Sequence, residues 1–232
     1  MCTLMTVDRD TFLADKREFV ARILSDVQFN YDGLSLIAVD PLSPMSNLSI
    51  NCMAVGHILN ALDVFFASSS EYARIWLHTR AATTDYVGIP FNHGFTDSRG
   101  TMIQHNGIVH NYRNLHVDSF NLVDYRTDTA HNMRDDLETA MEQFANVFLI
   151  RPETGTYGVV RIWGGSLMTD GQGNYSTYGV ADIRLPVDRG YAREYRLIPA
   201  RQAPMAFEDE RDQTDTEFAW DQVLAKKYSK AE

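Results

Sequence analysis

The run LSLIAVD, from Leu34 to Asp40, constrains the fold of this 232-residue chain more than any other segment. Nearly every position in it is apolar, and it follows the turn signal Tyr31-Asp32-Gly33. A short apolar run bounded by a turn predicts a strand that is buried on both faces. Such a strand needs an apolar layer on each side, so the chain is expected to fold in stacked layers.

Helical and extended patterns flank this strand. The residues from Cys2 to Val7 predict a first strand, and Asp10 is expected to cap a helix that ends near Leu24. The segment MAVGHILNALDVFFA predicts a second helix, because its apolar residues share one helical stripe. The segments ARIWLHTR and TMIQHNGIV then predict two more strands.

The second half of the chain repeats this mixture. A further helix is predicted from about Asn132 to Phe148, where apolar residues recur at helical spacing. The segments TYGVVRIWG and YSTYGVADIRL flank the turn Gly171-Gln172-Gly173-Asn174, which predicts a hairpin. Strands in the middle with helices grouped between them indicate a layered α+β sandwich.

Composition predicts one globular domain with a tail. The chain is 44% hydrophobic, enough to bury one substantial core. We assign residues 1–206 to this domain. Residues 207–232 are acidic and poor in apolar side chains at their start, so we predict a C-terminal tail that carries a short helix near Trp220 to Tyr228.

Charge and cysteine content exclude several classes of protein. A net charge of −10 without a cluster of basic residues argues against nucleic-acid binding. No run of about 20 apolar residues and no secretory signal is present, which argues against a membrane span and favours a cytoplasmic protein. The two cysteines, Cys2 and Cys52, are too few for a disulfide scaffold and do not predict a metal site. No cofactor is implied.

Cys2 is the residue with the clearest potential for chemistry. If Met1 is removed, Cys2 carries both a thiol and a free α-amine, whose ordinary pKa is about 8. Such an amine can take the thiol proton near neutral pH, so nucleophile and base belong to one residue. The alternative is that Cys2 is a small buried residue at the start of a strand.

Five segments, in their order and approximate spacing, resemble the class II glutamine amidotransferases, whose glutaminase domain has an N-terminal nucleophile. The segments are Met1-Cys2, Tyr31-Asp32, HTRAAT from His78 to Thr83, HNGIVHNYRNL from His105 to Leu115, and Thr127-Asp128-Thr129. The resemblance covers about residues 2–165. It implies an α+β fold, the four-layered αββα sandwich of N-terminal nucleophile hydrolases.

The resemblance also assigns roles to residues. Cys2 is the nucleophile, and the side chain of Asn106 and the backbone N–H of Gly107 stabilise the oxyanion. Arg80 grips the α-carboxylate of glutamine, because a guanidinium can donate two charge-assisted hydrogen bonds to a carboxylate. From the residues alone, a surface salt bridge is the favoured role for Arg80, and Asn106-Gly107 is also compatible with a hairpin turn.

Three further residues are implied to bind the substrate, namely Thr83, His93 and Asp128. Asp128 would hold the α-ammonium group. Asp215 lies in a closer match to the motif of the family, Thr-Asp-Thr-Glu, but it falls in the acidic tail. Asp128 lies 22 residues after Asn106 and precedes a predicted helix, as the family requires.

The sequence departs from the family at four positions. Thr3 stands where relatives usually have glycine, and Ala81 stands beside Arg80 where a bulkier residue is common. Gly94 replaces the proline of a His-Pro-Phe motif, and Ala130 replaces a glutamate. These departures affect substrate fit and loop order, whereas the nucleophile, the cation, the oxyanion donors and the acid are present.

The implied function is hydrolysis of the side-chain amide of L-glutamine to glutamate and ammonia, through a thioester on Cys2. Too few residues follow the domain for a synthase, so we expect ammonia to pass to a separate synthase partner. Two alternatives stay open: a regulatory module that only binds in the glutamine pocket, and an amidase for another γ-glutamyl amide. A phage or plasmid origin is a further hypothesis from the small size and divergent motifs.

Overall fold

The computed structural model describes residues 2–82, 87–108, 118–139, 144–162 and 166–198. The tail predicted at 207–232 and the domain boundary at 206 lie outside these residues. The strands are β1 Thr3–Asp8, β2 Gly33–Val39, β3 Leu48–Cys52, β4 Arg74–Arg80, β5 Phe95–Thr96, β6 Met102–Ile108, β7 Phe144–Arg151, β8 Thr156–Arg161, β9 Met168–Thr169, β10 Tyr175–Ser176, β11 Leu185–Pro186 and β12 Tyr191–Arg196. The helices are α1 Arg9–Ala14, α2 Lys16–Asp26, α3 Val55–Ser68 and α4 Ala130–Thr139.

Within the described residues, the strands form two antiparallel sheets. One sheet has seven strands in the order β11-β9-β10-β1-β4-β2-β3, and the other has five in the order β12-β8-β7-β6-β5. Strands β1, β4 and β2 pair along their full lengths at the centre of the first sheet. Strands β6, β7 and β8 do the same in the second. The fold is therefore a mixed α+β fold, as the pattern of elements predicted.

Three groups of buried side chains account for the stability of this arrangement. The first lies between α1, α2 and α3 and one face of the seven-stranded sheet. The second lies between the two sheets and includes Trp76 and Phe148. The third lies between the five-stranded sheet and α4, around Met133 and Leu137. Each group removes apolar surface from water, which is the main favourable term in folding.

Strand β2 shows why LSLIAVD is apolar at nearly every position. Leu34, Leu36 and Ala38 belong to the group against the helices. Ile37 and Val39 belong to the group between the sheets. Successive side chains of a strand point to opposite faces, so a strand with an apolar layer on each side is apolar on both, and Ser35 is the exception, whose hydroxyl contacts Gln104.

The predicted helix from Asn132 to Phe148 is wrong in its second half. Helix α4 ends at Thr139, and the residues from Phe144 to Arg151 form strand β7 in the middle of the five-stranded sheet. Side chains of β7 alternate between two cores, with Phe148 facing the other sheet and Val147 facing α4. A strand that is apolar on both faces has no period of its own, so helical spacing arises there by chance.

The N-terminal helix begins earlier than predicted and is interrupted. Asp8, not Asp10, is the capping residue, because its carboxylate accepts a hydrogen bond from the Thr11 N–H at 2.8 Å. Strand β1 runs directly into α1, so the last strand residue serves as the cap. A break at Asp15 then separates α1 from α2.

The hairpin predicted around Gly171–Asn174 is present, with a different partner strand. The turn joins β9 and β10, which pair in the seven-stranded sheet. Strand β8, which was expected to be the partner, pairs instead with β7 and β12 in the other sheet.

No helix among the described residues is long and apolar enough to cross a membrane.

Candidate active site

Cys2 lies at the start of β1, beside the end of β4. Thr3 pairs with Thr79, so Cys2 is level with Arg80. Its sulfur is 3.4 Å from both the carbonyl oxygen and the nitrogen of Ala81. The residue is partly exposed, so the thiol lies at the edge of the fold and the small-buried-residue alternative does not describe it.

Arg80 is the last residue of β4, and it is only 3% exposed. On β4, Ile75 and Leu77 face the helices, whereas Trp76 faces the other sheet. The alternation of side chains therefore directs Arg80 into the space between the sheets. The surface salt bridge, which the sequence left open as an alternative, is excluded by this burial.

The turn before β2 fixes the segment that contacts Cys2. The backbone N–H of Asp32 donates to the Arg80 carbonyl at 3.0 Å. The backbone N–H of Ala82 donates to the Asp32 carboxylate at 2.7 Å. The Tyr31-Asp32-Gly33 turn thus holds Arg80, the last residue of β4, and the segment that follows it up to Ala82.

A buried asparagine that sequence reasoning did not identify supports the same end of the sheet. The side-chain amide of Asn30 donates to the hydroxyl of Thr3 at 3.2 Å and to the hydroxyl of Thr79 at 2.9 Å. All three residues are buried on the helix side of β1 and β4. Thr3, where the family usually has glycine, therefore has a structural partner that ties β1 to β4.

Asn106 and Gly107 lie inside strand β6, not in a turn. Asn106 pairs with Asn146 of β7, and Gly107 pairs with Ala145. The hairpin-turn alternative for Asn-Gly is therefore wrong. Gly107 has φ +151°, which is unfavourable for residues with a side chain. Asn106 is 2% exposed.

The side chain of Asn106 points into the space between the sheets. On β6, Met102 packs in the core between the sheets and Ile103 in the core against α4. Gln104 continues the alternation, because its amide nitrogen is 3.3 Å from the Ser35 hydroxyl and 3.4 Å from the Trp76 carbonyl. Asn106, two residues later, lies on the same face.

Contacts between the sheets also fix the direction in which β6 runs. Tyr157 packs edge-on against Trp76, and Tyr157 is level with Met102 through β7. Gln104, two residues further along β6, contacts the hydroxyl of Ser35, which is level with His78 on β4. Passing along β6 from Met102 to Asn106 therefore follows β4 from Trp76 towards Arg80. Asn106 lies towards the end of the space between the sheets where β4 ends.

His93 lies in a buried network beneath β6. Its ring stacks on His78 with centroids 3.8 Å apart, and it is 4% exposed. Its Nδ1 accepts the backbone N–H of His105 at 3.1 Å. The Ser119 hydroxyl is 3.3 Å from Nε2 of His93 and 2.8 Å from Nδ1 of His105. Both ring nitrogens of His93 thus contact the protein, and these contacts support β6.

Burial keeps this histidine pair neutral. The pKa of His78 is lowered to about 3, first by burial and then by the charges of His105 and Arg80. The pKa of His93 is lowered well below its ordinary value for the same reason, with His78 as the first charge partner. Neutral rings can stack closely, whereas charged rings would repel each other and Arg80.

Asp128 lies at the other end of β6. It is exposed, and its carboxylate accepts a hydrogen bond from the Asn132 side chain at 2.7 Å. It lines a pocket with Thr101, which precedes β6, and Arg151, which ends β7. Asn106 is four residues into β6 from Met102, roughly 13 Å along the strand. The structure therefore does not bring Asp128 beside Asn106.

The described residues do not include Thr83 or the rest of the HNGIVHNYRNL segment beyond Ile108. Within the described part of the chain, no group of three or more histidine, cysteine, aspartate or glutamate side chains is placed to hold a metal ion.

Comparison with solved structures identifies similar folds. A structure described as the allosteric regulatory enzyme of purine biosynthesis aligns with 85% of this chain at a TM-score of 0.51 and 11% sequence identity. The two chains share a fold. This chain spans about half of that enzyme, 49% of its length. A glutamine aminotransferase class-II domain protein from Silicibacter pomeroyi aligns with 85% of this chain and 99% of its own, at a TM-score of 0.41 and 13% identity. No protein-family model and no curated protein sequence matches the chain.

Proposed function

We propose that the chain is a class II glutamine amidotransferase domain that hydrolyses the side-chain amide of L-glutamine to glutamate and ammonia. The observation that carries the proposal is the position of the Cys2 sulfur, 3.4 Å from the backbone of Ala81 and next to the buried Arg80. The fold shared with the purine-biosynthesis enzyme supports it. So does the polar face of β6, which carries Asn106 to the same end of the space between the sheets.

We further propose that the architecture is the four-layered αββα sandwich of N-terminal nucleophile hydrolases. The three groups of buried residues support this arrangement. Taken in order, they join helices to the seven-stranded sheet, that sheet to the five-stranded sheet, and the five-stranded sheet to α4. In such a sandwich the space between the sheets is where a substrate meets residues from both.

Catalysis begins at Cys2 after removal of Met1. The α-amine takes the thiol proton, and the thiolate attacks the side-chain carbonyl carbon of glutamine. The negative charge that develops on the carbonyl oxygen is stabilised by the Asn106 side-chain amide and the Gly107 N–H. The carbon–nitrogen bond then breaks, and the leaving nitrogen takes the proton from the α-ammonium of Cys2 and departs as ammonia.

The second half of the reaction regenerates Cys2. A γ-glutamyl thioester now joins the substrate to the sulfur. The free α-amine accepts a proton from water, whose oxygen attacks the thioester carbon through a second oxyanion at Asn106 and Gly107. The carbon–sulfur bond breaks, the departing thiolate takes the proton back from the α-ammonium of Cys2, and glutamate is released.

Arg80 binds the α-carboxylate of glutamine in this proposal. A guanidinium offers a planar pair of donors that matches a carboxylate, and burial between two sheets strengthens the interaction relative to water. The cation lies beside the residue whose backbone contacts the Cys2 sulfur. Carboxylate binding at Arg80 would therefore orient the rest of the substrate towards the nucleophile.

The acid that binds the α-ammonium group has two candidates. The resemblance assigns Asp128, which lies at the far end of β6. Asp32 lies nearer to Cys2, because its carboxylate accepts the N–H of Ala82. Parallel measurement of KM for glutamine in Asp32→Asn and Asp128→Asn identifies the acid, since the variant that removes it raises KM more.

The proposal is tested by glutaminase assay of the purified chain. We expect glutamate release by the wild type, none above background by Cys2→Ala, and wild-type rates from Cys52→Ala. Cys52 is the matched control, because it is the other cysteine and burial raises the pKa of its thiol. Equal glutamate release by wild type and Cys2→Ala would refute the mechanism.

Three further measurements examine the N-terminus, the nucleophile and the synthase partner. The mass of the mature chain reports whether Met1 is removed, because a retained Met1 blocks the Cys2 amine. A glutamine-mimicking electrophile should label Cys2 and spare Cys52. The proposed separate synthase is sought by co-purification from the native source, and recovery of full glutaminase activity with no ammonia-accepting enzyme counts against it.

A further inference from the structure

Asn146 on β7 has a buried carboxamide with no assigned role. It is 1% exposed, and within the described part of the chain neither its Oδ1 nor its Nδ2 has a hydrogen-bond partner. Two other buried asparagines are bonded through both side-chain atoms or to two partners. Asn30 donates to two threonine hydroxyls, and Asn174 bonds Arg74, Asp8, Thr11 and Asp170. Asn146 is therefore unlike the structural asparagines of this fold.

The side chain of Asn146 points into the space between the sheets. Phe148 and Ile150, two and four residues later on β7, face that space. Ala145 and Val147 face α4 instead. Because side chains alternate along a strand, Asn146 shares the face of Phe148 and Ile150.

Asn146 is also the direct neighbour of Asn106. The two residues are paired across β6 and β7 and share one face of the sheet. Side chains that pair in this way have Cβ atoms about 4.5 to 5.5 Å apart. A group held by the Asn106 amide is therefore within reach of the Asn146 amide.

An unbonded carboxamide in this position costs stability, because its lost hydrogen bonds to water are not replaced. An apolar side chain would fill the same place without that cost. Buried polar groups without a hydrogen-bond partner are rare in folded proteins, and each one calls for an explanation. A ligand that bonds both atoms supplies one.

We propose that Asn146 is a substrate-binding residue that recognises the primary carboxamide of the substrate. Its Oδ1 accepts an N–H of the substrate amide, and its Nδ2 donates to the substrate carbonyl oxygen or to the oxyanion beside Asn106. The inference rests on the proposed glutaminase function. It deepens that function by naming Asn146 as the residue that selects the amide, glutamine, over the acid, glutamate. The side chain of glutamate carries two acceptors and no N–H, so Asn146 binds glutamine more tightly than the product.

Kinetics and stability of Asn146→Leu, which has nearly the same shape, test the proposal. We expect kcat/KM for glutamine to fall roughly tenfold to a hundredfold, the effect of losing one or two good hydrogen bonds. The ratio of the glutamate inhibition constant to KM for glutamine should fall with it, because discrimination between amide and acid is lost. The melting temperature should stay the same or rise, since an unbonded polar group has been removed.

Asn174→Leu is the matched control, because it makes the same substitution at a bonded asparagine in another part of the fold. We expect it to lower the melting temperature and to leave kcat/KM of the folded enzyme unchanged. Wild-type kcat/KM and unchanged discrimination in Asn146→Leu would overturn the proposal. So would a fall in melting temperature as large as that of Asn174→Leu, which would indicate a structural asparagine.

A binding measurement separates this proposal from the proposed function. Glutamine should raise the melting temperature of the Cys2→Ala protein, and Cys2→Ala/Asn146→Leu should lose that shift. If the wild type hydrolyses no glutamine but the shift depends on Asn146, the catalytic function fails and the binding role of Asn146 stands. If glutamine is hydrolysed and neither kcat/KM nor the shift depends on Asn146, the proposal for Asn146 fails alone. Absence of both hydrolysis and binding overturns both.

Discussion

The stacked pair His78 and His93 predicts that mild acid destabilises the fold. Both rings are buried, and burial lowers both pKa values, that of His78 to about 3. In the unfolded chain a histidine titrates near pH 6.5. Below pH 6.5 the unfolded chain therefore binds protons that the folded protein does not bind, so stability that is present above pH 6.5 is lost as pH falls towards 3.

The magnitude follows from the pKa of His78. At pH 5, which is 1.5 units below the unfolded pKa of 6.5, protonation of one histidine lowers the free energy of the unfolded state by about 2 kcal/mol. The corresponding term at pH 7 is close to zero. For a domain of this size 1 kcal/mol shifts the melting temperature by roughly 2 to 4 °C, so His78 alone should lower it by about 4 to 8 °C. His93 acts in the same direction.

Melting curves at pH 7 and pH 5 test this prediction with one matched pair of variants. His78→Phe retains a ring that can stack on His93 and cannot titrate, so it should reduce the loss on acidification by about 2 kcal/mol. His57→Phe makes the same change at an exposed histidine of α3 and should leave the pH dependence as in the wild type. Ordinary carboxylates titrate near pH 4, and Asp26, whose pKa is raised by burial, adds stability as pH falls, so neither explains a loss on acidification. A wild-type melting temperature that does not change between pH 7 and pH 5 would refute the reasoning.

Three further predictions concern the site and its support. Asn106→Ala should lower kcat roughly 10²-fold to 10³-fold with little change in KM, measured by glutamate release, because it removes an oxyanion donor. Arg80→Lys should raise KM for glutamine, since an ammonium cannot reproduce a bidentate carboxylate contact, and should leave labelling of Cys2 by a simple alkylating agent unchanged. Asn30→Ala should destabilise the fold by about 1 to 3 kcal/mol in urea, because the hydroxyls of Thr3 and Thr79 lose their buried donor.

The sequence predicts those parts of the fold in which one physical pattern dominates. Strand β2 is apolar at nearly every position and bounded by a turn, and α3 has an apolar stripe, so both were located correctly. The residues of β7 are apolar on two faces, and this pattern does not distinguish a strand from a buried helix. Only the pairing of β7 with β6 and β8 decides between them, and that pairing is non-local.

The candidate site also contains some residues that could be identified from the sequence and others that could not. Cys2, Arg80 and Asn106 could be proposed from the sequence because their order and spacing resemble a known family. Asn30 and Asn146 could not, because Asn30 precedes a turn, where asparagine is common, and Asn146 lies in an apolar segment that was predicted as a helix, which hides its pairing with Asn106. Their roles depend on contacts across strands that are 49 and 40 residues apart in sequence, from Asn30 to Thr79 and from Asn146 to Asn106.

The space between the sheets changes from apolar to polar along β6 and β7, and this change is what makes a site there. Near Met102 this space is filled by apolar and aromatic side chains, among them Trp76 and Tyr157, whose rings pack edge-on. Two residues further along the strand comes Gln104, and two further again comes Asn106. Sheets packed face to face lie about 10 Å apart, so side chains from both fill the gap and each polar residue must find a partner within it or a ligand.

The alternation of side chains makes this arrangement sensitive to register. A shift of β6 by one residue would turn Asn106 towards α4 and bring His105 into the space between the sheets. Gly107, with its positive φ, and the hydrogen bond from the His105 N–H to His93 both act against such a shift. The histidine network and the proposed oxyanion donors, Asn106 and Gly107, therefore depend on the same strand register. Weakening the network by Ser119→Ala should lower kcat more than it raises KM, whereas a network that only stabilises the fold would leave both unchanged.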